Sequence, residues 1–164
     1  MLDFLRVKTV PTVSWSSPRP LNFFPALRTF VLLCIGLVLF GVGEALLINA
    51  GVGVSPWTVF SQGVANTSGL GIGMSTFFIG VGVLVLWIPL RQTPGLGTLL
   101  NIIIIAAVME LSLPYLPQMA GTVSGIIQTM LGVFIVGLGS GLYLVANLGP
   151  GPRDGVMTGL QRVT

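Results

Sequence analysis

The sequence predicts an all-α protein, a polytopic bundle of transmembrane helices, and three observations predict it. Of 164 residues, 53% are hydrophobic and 7% are charged, whereas a soluble domain carries about 25% charged residues to solvate its surface. The mean hydropathy is +0.99. Apolar runs of about 20 residues, the length needed to cross a bilayer, recur along the chain and are separated by Gly and Pro.

Residues 1–28 read as a flexible cytoplasmic tail. Pro11, Pro18, Pro20 and Pro25 punctuate it. It lacks the compact apolar core and small-residue cleavage site of a secretory signal. Residues 29–164 form the transmembrane domain. Spans are predicted at about 29–50, 71–90, 96–113 and 123–146, the third stopped by Pro114.

Two further segments are too short to cross. In 56–66, Ser55 stands at the N-cap position and Pro56 at the first helical position, both good helix starters. Thr58, Gln62 and Asn66 recur every four residues and form one polar stripe. The second segment, 152–164, opens with Arg153 and Asp154 after Gly149, Gly151 and Pro152. Each is predicted to be a short amphipathic helix, re-entrant or interfacial.

The cations orient the spans. Arg6, Lys8, Arg19 and Arg28 precede the first, Arg91 follows the second, and Arg153 and Arg162 follow the fourth. The connections 51–70 and 114–122 contain no Lys or Arg. With the N-terminus in the cytoplasm, every cation lies inside, as the positive-inside rule requires. Scattered in this way between apolar runs, they form no phosphate-binding face, which argues against nucleic acid as a partner.

A shift of 96 residues lays the chain on itself without a gap. Between 34–64 and 130–160, eight of 31 positions are identical, among them Gly36/Gly132, Gly43/Gly139, Pro56/Pro152 and Gly63/Gly159. Gly41 and Ala45 fall on Gly137 and Gly141, a small-xxx-small spacing that lets helices approach closely. Thr58, Gln62 and Asn66 fall on Asp154, Thr158 and Arg162. Each unit holds three spans, an odd number, so the second copy enters the membrane from the opposite side. That is an inverted-topology repeat, an architecture of many secondary transporters. The second copy is incomplete, and projecting the repeat predicts about six spans in roughly 200–220 residues.

The runs Gly53–Val64 (GVSPWTVFSQGV) and Leu148–Leu160 (LGPGPRDGVMTGL) resemble the two signature stretches of the YczE/YyaS/YitT family of bacterial membrane proteins, especially its YczE branch. The resemblance covers the chain from about Phe30 onward, and Gly151–Gly155 is its most specific part. It implies a multi-pass protein of the bacterial plasma membrane. It implies little about activity.

Few residues are equipped for chemistry. There is no His, and the single cysteine, Cys34, lies in an apolar run. No Ser-His-Asp triad, Cys/His metal site or intramolecular disulfide is available. The Gly149–Gly155 run lacks the spacing of a phosphate-binding loop. No enzyme, metal or cofactor is therefore expected.

Glu44 and Glu110 lie inside spans, where a charge costs about 2.5–3.5 kcal/mol on insertion scales. They form a candidate ion or proton site facing the bundle interior. The plainer role is a bond to a neighbour such as Asn49, Asn101 or Gln128. Arg153 and Asp154 open the second short helix, where exposed N–H groups favour an anion. Asp154 also suits a helix start, and Arg153 suits an inside marker. With Thr58, Gln62, Asn66 and Thr158 they form a candidate solute-facing stripe.

The leading functional expectation is a transporter-like protein for a small molecule or ion, with the lipid bilayer as its solvent. The alternative is a non-transporting scaffold or regulator acting through a partner protein. An intramembrane enzyme comes third. A homo-oligomer is compatible with the sequence and not specified by it.

Overall fold

In a computed structural model, described over residues 12–119 and 121–163, the apolar runs are helices. Arg6, Lys8 and Thr164 lie outside the described residues, and of Arg162 only the backbone is described. The order is α1 (Leu27–Ala50), α2 (Pro56–Ser68), α3 (Ile72–Trp87), α4 (Leu96–Ser112), a short 3-10 turn (Leu113–Tyr115), α5 (Thr122–Val145) and α6 (Pro152–Val163). No strand occurs among the described residues.

Helices α1, α4 with its 3-10 turn, and α5 are long and apolar enough to cross a membrane. Helix α3 has 16 residues, about 24 Å at 1.5 Å per residue, less than the roughly 30 Å of hydrocarbon. A turn at 88–91, with Arg91 at φ 50°, ends it ahead of the span limit read from hydropathy. Helices α2 and α3 are separated by a short break and bent by 111°, so the pair forms either one broken span or a re-entrant loop.

The helix starts follow local chemistry. The Ser55 side chain accepts from the Thr58 amide, with Pro56 at the first position of α2. Helix α3 has no side-chain cap of its own. Glu110 of α4 supplies one, its Oε2 accepting from the Gly73 and Met74 amides at 2.8 and 3.3 Å. The backbone approach there needs glycine, because a Cβ on Gly71 or Gly73 would collide with Glu110.

Helices α1 and α5 pack antiparallel through glycines. A Cβ on Gly36 would lie 2.9 Å from the Gly139 carbonyl oxygen, and one on Gly43 would lie 3.0 Å from that of Gly132. Gly41 meets Val108 and Ile105 of α4. Gly137 and Gly141 depart from the packing role expected for them, since a Cβ on either would meet nothing within 4 Å. Gly132 and Gly139 are seven residues apart and share a helix face to within about 20°. Gly137 lies about 140° around from Gly132 at 100° per residue.

Two polar ends close the bundle. At one, the backbone of Gly95 lies against Leu148 and Pro20. Residues 15–20 of the expected flexible tail are held there, while residues 1–11 lie outside the described residues. The Ser17 amide donates to the Ala146 carbonyl at 3.0 Å, and the Ser16 hydroxyl donates to that of Val145 at 2.5 Å. These are carbonyls that the end of a helix leaves without intrahelical partners. At the other end, Asn49 donates to the Leu113 and Leu116 carbonyls, and Gln128 to that of Leu46.

Candidate functional site

A cavity of about 60 Å³ lies between the helices, and all six contribute to its wall. That is room for roughly two waters at about 30 Å³ each. Helix α1 supplies Phe40 and Glu44, α2 supplies Trp57 and Thr58, and α3 supplies Thr76. Helix α4 adds Asn101 with an apolar wall, α5 adds Tyr143, and the start of α6 adds Arg153 and Asp154.

Two hydroxyl–carboxylate pairs line the cavity. Thr58 donates to Oε2 of Glu44 at 2.7 Å, and Glu44 is only 6% exposed. Tyr143 donates to Oδ2 of Asp154 at 2.6 Å. A carboxylate withdrawn from water is costly unless donors or cations replace its hydration. Each pair supplies one donor. Arg153 lies 3.7 Å from Asp154 Oδ1, both half-exposed, and its charge acts on Glu44 and Tyr143 as well.

Along α1, positions 36, 40 and 44 share one face. Gly36 lies level with Tyr143, so Glu44 sits about 12 Å further along at 1.5 Å per residue. Phe40 lies between the two pairs, edge-on to Tyr143 at 6.2 Å.

The start of α6 is held from several sides. Thr98 donates to the Pro150 carbonyl at 2.7 Å, and the Gly97 amide to that of Leu148 at 2.7 Å. The Trp87 indole, 1% exposed, donates to the Pro152 carbonyl at 3.0 Å. Gly155 packs against that indole so closely that a Cβ would collide with it. Asp154 and Arg153 thus enter the cavity from a braced segment.

The structure brings Glu44, Thr58, Arg153 and Asp154 to the cavity and leaves the other site residues predicted from the sequence off it. Glu110 is exposed and caps α3, so it is not paired with Glu44. Gln62 is half-buried, Asn66 is exposed, and exposed Thr158 bonds the Gly155 carbonyl. Sequence reasoning missed Tyr143, Trp57, Thr76 and Phe40 as site residues, and named Asn101 only as a neighbour. Asn101 carried a signal, a lone amide in the run Leu99–Ala107, and Tyr143 carried another as the one phenol in the fourth run. Asn49 and Gln128, the other expected carboxylate neighbours, bond backbone carbonyls instead.

Comparisons with known proteins give a family and two relatives. Residues 27–164 match a family described as a family of unknown function, DUF6198. An uncharacterized protein of Haemophilus influenzae is 37% identical over 155 residues, covering 94% of this chain and 70% of that protein. The uncharacterized membrane protein YczE of Bacillus subtilis is 35% identical over 126 residues, covering 74% of this chain and 58% of that protein. This chain therefore spans less than two thirds of YczE. No solved structure matches the chain.

Proposed function

The chain belongs to the YczE-like family of unknown function DUF6198, and from that premise we propose that it is a transporter-like protein of the bacterial plasma membrane for a small solute. In this reading its N-terminus is cytoplasmic, and two inverted halves rearrange around the cavity. No catalysis is assigned to it. The observation that carries the reading is one cavity reached by the first turns of both short helices.

The glycine contacts support inverted halves. A shift of 96 carries Gly36 to Gly132 and Gly43 to Gly139. The observed contacts, Gly36 with Gly139 and Gly43 with Gly132, map onto each other when the copies are exchanged. That is what a two-fold axis between α1 and α5 requires. Two short helices that begin at a shared cavity also fit the way secondary transporters build their solute sites.

Cysteine accessibility tests the reading. In a Cys34→Ala background, single cysteines replace Thr58, Gln62, Asp154 or Thr158, and a membrane-impermeant thiol reagent is added from each side. Thr58→Cys and Gln62→Cys are expected to label from outside, and Asp154→Cys and Thr158→Cys from inside. Labelling that changes with an added solute completes the expected result. If all four label from one side, or none responds to any solute, the inverted transporter gives way to a non-transporting scaffold.

A further inference from the structure

The two carboxylates of the cavity are unequally satisfied. Asp154 has the Tyr143 hydroxyl at 2.6 Å and the Arg153 guanidinium at 3.7 Å. Glu44 is the more deeply buried, yet its one recorded partner is the neutral Thr58 hydroxyl on Oε2. The Arg153–Asp154 contact is the only ion pair among the described residues. Arg153 makes its direct contact with Asp154, and its charge reaches Glu44 only across the cavity, so an ionised Glu44 has no charged group in contact with it. A buried carboxylate of this kind is neutralised either by a proton or by a cation drawn to it.

We propose that Glu44 holds a small monovalent cation, an alkali ion or an ammonium group, in the space beside its second carboxylate oxygen. The wall offers further oxygen atoms, the Thr58 and Thr76 hydroxyls and the Asn101 amide. Thr76 spends its proton on the Ile72 carbonyl, which leaves its oxygen lone pairs for a cation. A single carboxylate among neutral oxygens suits a single positive charge. Divalent ions draw on several carboxylates, and no group of three or more Asp, Glu, His or Cys that would hold a metal occurs among the described residues. A cavity of about 60 Å³ gives room for a small cation such as an alkali ion or methylammonium.

This inference rests on the solute-cavity reading and is tested separately from it. The full chain in lipid nanodiscs is titrated with radiolabelled sodium, rubidium and methylammonium at fixed ionic strength, with choline as balancing cation. At least one probe is expected to bind with one site per chain. Glu44→Gln is expected to weaken binding by at least about tenfold, the worth of one close charge contact in a poorly solvated site. Glu110→Gln, whose carboxylate lies off the cavity, is expected to bind as the parent does.

Asn101→Leu supplies a second variant whose folding does not depend on the Glu44–Thr58 bond, and it is expected to weaken binding less than Glu44→Gln. If none of the three probes binds the parent chain, the proposal is overturned whatever the variants do. Equal losses in Glu44→Gln and Glu110→Gln overturn it as well. Should the thiol-labelling pattern at Thr58→Cys and Asp154→Cys appear while no cation binds, the cation site alone falls and the solute cavity stands.

Discussion

The hairpins α1–α2 and α5–α6 have matching turn and helix-start features and differ in their chemistry. Both long helices are followed by a left-handed residue, Gly51 at φ 68° and Asn147 at φ 53°, and these positions are 96 apart. Both short helices begin at a proline, Pro56 and Pro152. In both, the residue two places beyond that proline bonds back to the long helix. Thr58 donates to Glu44 in the first, and Asp154 accepts from Tyr143 in the second. The acid stands on the long helix in one copy and on the short helix in the other. None of these four residues is identical across the shift. Common to both hairpins is a hydroxyl–carboxylate bond at the base of the short helix, made to non-equivalent positions of the long helix, since the shift carries Glu44 to Ser140 and Tyr143 to Leu47. The environments then diverge, because Asp154 has Arg153 in contact with it and Glu44 feels that charge only across the cavity.

The largest effect expected from testing this comparison lies in the glycines. Gly139→Leu and Gly36→Leu force a side chain into opposing backbone, and overpacking alone costs about 1–3 kcal/mol, more where backbone must move. Unfolding titrations in mixed micelles are expected to show most of the folded signal lost. Gly137→Leu and Gly141→Leu face open space and are expected to stay within about 0.5 kcal/mol of the parent. A tolerated Gly139→Leu would break the proposed two-fold contact.

The hydroxyl pairs come next, and their order is the informative part. Thr58→Val removes the one recorded donor from a buried carboxylate, with an expected cost of about 2–3 kcal/mol. Tyr143→Phe leaves Asp154 half-exposed with Arg153 still beside it, and the expected cost is about 1 kcal/mol. Equal costs in the same unfolding assay would mean that the two copies are satisfied alike. Glu110→Gln is the smallest change, because the amide oxygen still accepts from Gly73 and Met74. Losing the charge at the start of α3 is expected to cost about 0.3–1 kcal/mol, read as a small drop in thermal midpoint.

Much of the helix layout was legible because hydropathy along the chain reports the solvent each segment meets. Ser55-Pro56 likewise marks a helix start whatever its surroundings. The separation of Glu44 from Glu110 was not legible. Both acids interrupt apolar runs, and only the fold shows that Glu110 turns to the α3 amides while Glu44 turns inward. The glycines of α5 show the same limit. Five small positions lie on that helix between Gly132 and Gly141, and only packing against α1 selects Gly132 and Gly139. The N-terminal prolines suggested a loose tail, yet Ser16 and Ser17 find the open carbonyls at the end of α5.

By itself the sequence determined that this is a helical membrane protein, roughly where its helices start and stop, and which family it joins. Those are properties of local composition and short motifs, which act over one helix at a time. Tertiary structure decided which polar groups share a cavity. Glu44, Thr58, Asn101, Tyr143 and Asp154 come from five helices spread over more than a hundred residues. Their meeting depends on close glycine contacts and braced helix ends, because a hydrogen bond exists only once packing has brought donor and acceptor within about 3 Å.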